Sequence, residues 1–505
     1  MRENMGLLLR EAWRSLGDKI SIIDDEKEWS GADLLKRAAE ISDGLKKKAP
    51  KPDEPVLLSV SNRAVDFAAM LAIWELGGVS VPIHVDAPPA AFAQIRDMTG
   101  ARLLVDGTGD DDWFERTESG ADRSQSPYVG VLDRPPPPAD PTLIDGGIVV
   151  FTSGSTGKPK GAVLSHHSLV TRLTFNERVF SFRPGDRTLL VLQITFSFGT
   201  WLSLLTITRR ALLVIHRKFR PETALEDIVR RDISRVALIP TMLRAILSRS
   251  KEPEIIRLLE NVRNHRTLRQ IFTGGELYPD ELHRRCLAVF PPLITNGYGL
   301  TETGTCDLAL DKAGRSDVSA HGEQGESPGV SIRIVDEKGE PVPKGEIGEL
   351  HIRSETRMNG YLGQPELTAA SYADGYFRTG DLAKIAQDGW LQIVGRVNER
   401  ISRGGNKIYP QEVERALLSH PAVSEALATG VADPLMGERI HVAVIADSPV
   451  SIEQLNAWAA AQIDKFKTPD VIHLVTTLPV GATGKANRGE LRRQLQGDRK
   501  AAGHP

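Results

Sequence analysis

Residues Phe151–His166 read FTSGSTGKPKGAVLSH, and the apolar run GGIVV stands directly before them. The run reads as a buried strand. The sixteen residues behind it hold three glycines, two lysines and five hydroxyl side chains (Thr152, Ser153, Ser155, Thr156 and Ser165). Gly154, Gly157 and Gly161 permit turns closed to other residues, so that successive backbone N–H groups can form a nest for an anion. Lys158 and Lys160 add positive charge. The segment therefore reads as a phosphate loop, but not as a P-loop. Counting back from Gly157-Lys158, the first glycine of that motif falls on Thr152, and Pro159 occupies the place of its Ser or Thr. A plain Gly/Ser linker fits less well, because the strand-like run GAVLS resumes at once.

The chain has 505 residues, enough for more than one domain and a large core. Hydrophobic content of 40% and charged content of 26% are ordinary for a globular protein. A net charge of −3 gives no field that would favour nucleic acid or anionic lipid. Two cysteines, Cys286 and Cys306, suggest a reducing compartment, and the N-terminus shows no signal-peptide core, so a cytoplasmic enzyme is expected. The uncharged stretch Thr188–Thr208, TLLVLQITFSFGTWLSLLTIT, is long enough to span a bilayer. Its polar residues and strand-like start favour a buried strand followed by a buried helix, so no membrane partner is expected.

Working outward from the loop, PVLLSV, VSVPI and ARLLVD alternate with helical patterns such as RAVDFAAMLAIWELGG. This alternation predicts a parallel sheet covered by helices. The run RPPPPAD (134–140) reads as an extended surface loop rather than a boundary. From about Gly329 the texture changes to hairpins, and after Arg396 to a small α+β unit. The expected architecture is α/β: a large N-terminal domain (1–395) of parallel α/β sheets, with a β-barrel-like subdomain at about 329–395. A small mobile α+β C-terminal domain (396–505) completes it.

Five further stretches repeat the clustering of glycine, threonine and charge: FTGGELYP (272–279), NGYGLTETG (296–304), YFRTGDLA (376–383), GRVNERISRGGNKIYPQEVE (395–414) and LPVGATGKANRGEL (478–491). In this order, behind the opening loop, they closely resemble the adenylate-forming, AMP-binding superfamily of acyl-CoA synthetases, stand-alone adenylation domains and luciferase-like ligases. The resemblance spans roughly 147–491. It implies that a carboxylic acid is activated by ATP as acyl-AMP with loss of pyrophosphate, and that a thiol then displaces AMP. Bringing one anion to another calls for positive charge and aligned donors rather than a side-chain nucleophile.

On the same resemblance, Thr152, Ser153, Gly154, Ser155, Thr156, Gly157 and Lys160 would close over the β- and γ-phosphates. Thr301 would bond the α-phosphate and Glu302 would hold Mg²⁺, a hard cation suited to carboxylate oxygen. Gly274, Gly275, Glu276, Asn296, Gly297 and Tyr298 would frame the adenine, with Tyr298 stacking on it. Asp381 would accept bonds from both ribose hydroxyls. Arg396 would pair with ribose or phosphate. Lys485 would bridge the substrate carboxylate and the α-phosphate, and Gly404 and Gly405 would line a pantetheine channel after the small domain turns about Asn398. Asn398 stands where the family usually places an acidic residue or lysine, and Asn406 replaces a frequent glutamate.

Phe196, Phe198 and Gly199, with Gly299, would line the acyl pocket. The segment ITFSFGTWLSLL offers no aspartate to pair with an ammonium group, so an aryl or aliphatic acid is expected rather than an α-amino acid. Coenzyme A is the expected thiol, with a separate carrier protein's pantetheine as the alternative. A nucleotide-binding protein of the same fold without ligase activity is the reading from another class. The protein is expected to act as a monomer or homodimer, without nucleic acid.

Overall fold

Strand Pro55–Val60 is buried along its whole length, and the helix after it, Ala64–Glu75, is apolar on every side and buried on every side. Elements of that kind belong at the centre of a sheet and beneath a second layer. The computed structural model places them there. It describes residues 4–24, 27–106, 128–132, 140–153, 159–183, 185–276, 278, 280–291, 294–310, 329–387, 389, 391–480 and 486–501.

A seven-stranded sheet runs in the order Gly360–Tyr361, Pro159–Ser165, Gly146–Ser153, Val79–His84, Pro55–Val60, Leu103–Asp106, Tyr128–Val131. Its middle pairs are parallel and its flanking pairs antiparallel. The opening loop thus joins an antiparallel hairpin, with Thr152 opposite Lys160. Residues 154–158 and the run 133–139 lie outside the described residues. A second sheet, of eight strands, is ordered Leu308–Leu310, Ile294–Tyr298, Gln270–Gly274, Arg235–Ala237, Arg187–Leu190, Leu212–Ile215, Ile20–Ile23, Glu28–Ser30. The largest apolar core combines Met5 and Trp13, Phe67 and Trp74, and Trp201 with Leu205. The stretch Thr188–Thr208 resolves into a strand ending at Leu190 and the helix Ser197–Thr208, buried from Gly199 to Ile207. No helix among the described residues is long and apolar enough to cross a membrane.

The expected hairpins form a third, antiparallel sheet of Val330–Val335, Gly348–Ser354, Tyr372–Ala373, Tyr376–Ile385 and Leu391–Arg396. A fourth sheet, of Ile401–Arg403, Asn406–Ile408, Val423–Asp433, Gly437–Ala446 and Val471–Leu474, packs helices Pro410–Leu418 and Ile452–Gln462 over its own core. The architecture is α/β, with two mixed sheets whose central pairs are parallel and one antiparallel sheet in the larger N-terminal part, and a small α+β part at the C-terminus.

Candidate functional site

The eight-stranded sheet ends two parallel neighbours on glycine: Gly274 lies opposite Gly297. A β-carbon on Gly274 would stand 2.4 Å from the carbonyl oxygen of Gly297, and one on Gly297 would meet the Phe272 ring at 2.7 Å. Only glycine lets the two strand ends come this close. The chain then continues through Tyr298 into the one-turn helix Thr301–Thr303.

Three groups of candidate residues meet around this point. In the first, the Tyr298 hydroxyl donates to Asp381 Oδ2 at 2.6 Å, and Arg396 Nε donates to Asp381 Oδ1 at 2.7 Å. Burial and the neighbouring carboxylate push the Tyr298 pKa well up, so the phenol keeps its proton and remains a donor. The charge of Asp381 raises the Arg396 pKa further, while half of that side chain stays exposed. Each carboxylate oxygen can accept a second bond, so Asp381 retains capacity for ribose hydroxyls.

In the second group, Thr301 Oγ1 donates to Ser197 Oγ at 2.9 Å. This bond ties the turn at Thr301 to the first residue of the helix that carries Phe198 and Trp201. In the third, the Tyr361 hydroxyl donates to Glu302 Oε1 at 2.9 Å, and Lys160 Nζ sits 5.5 Å from the centre of the Tyr361 ring. One tyrosine thus touches both the carboxylate expected to hold metal and the lysine that closes the loop hairpin. Burial, with the Glu302 carboxylate next, lifts the Tyr361 pKa. Burial also lifts Tyr372 nearby to about 12, with Glu302 adding and Arg357 opposing.

Sequence reading missed what holds the turn. Gly304, Thr305 and Cys306 all have positive φ, at 94°, 72° and 58°. Left-handed backbone costs about 1–2 kcal/mol at each non-glycine residue, so this geometry needs external support. Arg172, buried on helix His166–Phe180, supplies it. Its Nη2 donates to the Thr303 carbonyl at 2.9 Å, to Asp307 Oδ1 at 2.8 Å and to Ser354 Oγ at 2.9 Å. Its Nη1 and Asn176 Nδ2 both reach the Cys306 carbonyl. The other Asp307 oxygen accepts the Thr303 hydroxyl. Burial raises the Asp307 pKa while Arg172 pulls it back. Asp307 stands three residues past the NGYGLTETG stretch, and Arg172 is one arginine on an ordinary helix, so no local pattern marks either.

The remaining candidates have other local duties. Glu276 accepts from the Thr241 amide at 3.1 Å and from its hydroxyl at 2.9 Å, at the start of helix Pro240–Ser248. Gly275 has φ of 76°, and Asn296 is buried on its strand. Gly199 packs on the Gln193 carbonyl and Gly299 on the Cys306 amide, where a β-carbon would stand 2.3 and 2.2 Å away. Phe198 lies edge-on to Phe272 and tilted against Trp201, while Phe196 stands at the residue before the helix. Gly404 and Gly405, with φ of 55° and 81°, form the two-residue turn between Ile401–Arg403 and Asn406–Ile408. Lys485 and residues 154–158 lie outside the described residues, and Ser153 is described through its backbone alone. Neither cysteine thiol offers a nucleophile: burial holds Cys286 up at about 11 and Cys306 at about 12.

Comparison with known proteins bears on the family and the fold. A family model described as AMP-binding enzyme matches residues 9–362, and one described as AMP-binding enzyme C-terminal domain matches residues 412–485. A feruloyl-CoA synthase of Amycolatopsis sp is 29% identical over 92% of this chain and 93% of its own. The fatty acid–[acyl-carrier-protein] ligase ScoC of Streptomyces coeruleorubidus is 32% identical over 73% of this chain and 71% of its own. A 2-succinylbenzoate–CoA ligase of Bacillus licheniformis is 27% identical over 94% and 96%. Among solved structures, the anthranilate CoA ligase AuaEII with anthranoyl-AMP superimposes with a TM-score of 0.84 at 22% identity, covering 98% of each chain. ATP-bound MatB from Rhodopseudomonas palustris gives 0.82 at 24% identity, covering 98% of this chain and 99% of its own.

Proposed function

The chain belongs to the AMP-binding enzyme family and is an acid–thiol ligase working through an acyl-adenylate; within that chemistry we propose that its acid is an aryl acid and its thiol coenzyme A. The observation that carries the acid is the aromatic cluster. Phe198 and Trp201 stand on the helix whose Ser197 bonds Thr301, and Phe272 packs against both rings. An apolar, aromatic wall on the helix tied to Thr301 suits an aromatic ring. For the thiol, the feruloyl-CoA synthase and the 2-succinylbenzoate–CoA ligase, both CoA ligases by name, each match more than nine-tenths of this chain, whereas the carrier-protein ligase matches 73%.

The remaining roles belong to the same proposal. Thr301 orients the α-phosphate, Asp381 and Arg396 hold the ribose, and Tyr298 and the glycine strand ends bound the adenine. Thr152 and Lys160, with the loop between them, cover the outer phosphates. Among the described residues no three of His, Cys, Asp and Glu gather around one point, so Mg²⁺ would be held by Glu302 with phosphate and water oxygens, its usual manner of binding beside a nucleotide. The metal would supply charge neutralisation, and Tyr361 would keep Glu302 oriented. Residues from about 396 onward would turn about Asn398, in the short helix Val397–Glu399, exchanging Lys485 for Gly404 and Gly405 between the half-reactions.

The test is acid-dependent pyrophosphate release from ATP and Mg²⁺, with aryl, fatty, dicarboxylic and amino acids, each with and without coenzyme A. Release with aryl acids, followed by acyl-CoA when coenzyme A is present, is the expected result. Release without any thioester would move the acceptor to a carrier protein, and release only with other acids would overturn the aryl reading. Lys485→Ala should slow adenylation by about a hundredfold or more while sparing thioester formation from preformed acyl-adenylate. Equal loss in both steps would remove Lys485 from that role.

A further inference from the structure

Two tyrosines stand beside Glu302, and only one of them has a partner for its hydroxyl. Tyr361 donates to Glu302 Oε1 at 2.9 Å. The Tyr372 hydroxyl is buried and meets no acceptor among the described residues. Tyr298, the third phenol near the turn at Thr301, donates to Asp381 at 2.6 Å. Buried hydroxyls ordinarily find a partner, and one that does not has given up its water for nothing.

The fold fixes where this hydroxyl stands without using it. Tyr372 lies on the short strand Tyr372–Ala373, opposite Phe377. Its ring meets the Phe377 ring edge-on, with centres 5.4 Å apart, and packs on the small core that holds Met358 and Tyr361. The Met358 amide donates to the Glu302 carbonyl at 2.8 Å, so this core is fastened to the turn that carries Glu302. A phenylalanine ring would satisfy the same packing. The oxygen is therefore an addition that the core does not need.

The surroundings say what the oxygen can bond. Burial lifts the Tyr372 pKa to about 12, so near neutral pH the phenol keeps its proton and needs an acceptor. The charged groups that act on it are Glu302, whose Oε1 Tyr361 already holds, and the exposed Arg357. A second cation, Lys160, has its Nζ 5.5 Å from the centre of the Tyr361 ring. An unspent donor with two cations close by suits an anionic oxygen, the acceptor that makes the stronger hydrogen bond.

We propose that Tyr372 is a phosphate-binding residue: its buried hydroxyl donates to an oxygen of the outer phosphates of ATP and keeps that bond to pyrophosphate once the acyl-adenylate has formed. This rests on the placement of the outer phosphates beside Lys160 and Glu302 proposed above, and goes beyond it by naming a donor outside the glycine-rich stretches. AMP has no outer phosphates, so its binding is indifferent to this hydroxyl.

The experiment compares the wild-type enzyme with Tyr372→Phe by calorimetric titration with pyrophosphate, ATP and AMP, each in the presence of Mg²⁺. The variant should bind pyrophosphate and ATP about tenfold more weakly and AMP equally well. In ATP–pyrophosphate exchange its KM for pyrophosphate should rise by a similar factor while the KM for the acid stays put. Without ligand its melting temperature should be equal to or above that of the wild type, because phenylalanine buries no unpaired donor, and ATP should raise it less. Unchanged pyrophosphate affinity overturns the assignment, as does a loss shared equally by AMP. A clear fall in the ligand-free melting temperature also overturns it, by showing the hydroxyl bonded within the fold. Glu302→Gln, titrated alongside, separates the two readings. If it leaves Mg²⁺-dependent ATP binding untouched while Tyr372→Phe still weakens pyrophosphate, the metal role of Glu302 falls and Tyr372 keeps its own.

Discussion

Two charge pairs sit on either side of Tyr298, and they are built differently. Arg172–Asp307 is closed off from solvent, with side-chain exposures of 1% and 0%. Its arginine is shared among the carbonyls of Thr303 and Cys306, the hydroxyl of Ser354 and a carboxylate. Arg396–Asp381 joins a buried carboxylate to an arginine half in water, at 7% and 50%. The first has no freedom to find another partner, and removing either member strands a charge in the interior. The second can loosen at small cost and turn to a ligand. The contrast separates a rigid support for the turn at Thr301 from the pair proposed to hold the ribose. A strained run, Gly304–Cys306, needs a rigid support, whereas a pair proposed to bind and release a ribose needs partners that can let go.

The largest expected effect tests the buried side. Arg172→Met or Asp307→Asn should each lower stability by about 3–5 kcal/mol, seen as a fall in the denaturation midpoint, and should depress adenylation in whatever protein remains folded. The apolar double variant Arg172→Met, Asp307→Leu should recover part of the stability but not the activity. Full recovery of both would mean that the pair does not aim Thr301 and Glu302.

A buried neutral group at the start of the helix that carries Arg172 sharpens the comparison by pH. His166 accepts from the Met5 amide at 3.3 Å and lies edge-on to Trp74, and burial, opposed only by Asp145, pulls its pKa down to about 4. Its unfolded value is near 6.5, so between about pH 6.5 and pH 4 the unfolded chain binds a proton that the folded chain refuses. Stability should therefore fall on acidification across that window by about 1.4 kcal/mol per pH unit at most, and level off below it. His166→Asn should flatten this part of the profile and leave the apparent KM for ATP unmoved. A profile unchanged by the substitution would assign the acid sensitivity elsewhere.

The smallest stability effect belongs to the half-exposed pair. Arg396→Ala should shift the midpoint by less than about 1 kcal/mol while raising the apparent KM for ATP by about tenfold. A stability loss as large as that of Arg172→Met would erase the distinction between the two pairs.

Sequence alone determined the alternation of strand and helix before Gly329, the hairpins after it and the small α+β unit beyond Arg396. Those features arise from short-range periodicity and from turn chemistry that each segment carries within itself. It also singled out Thr301, Glu302, Asp381 and Arg396 as candidates, because each falls in a short run where glycine, hydroxyl and charge concentrate. Only the tertiary structure decided what surrounds them. Arg172 lies 135 residues from Asp307, Tyr361 lies 59 from Glu302, and Ser197 lies 104 from Thr301. A buried polar group is defined by whether its partners are present, and partners brought together across sheets leave no mark on the local run of residues.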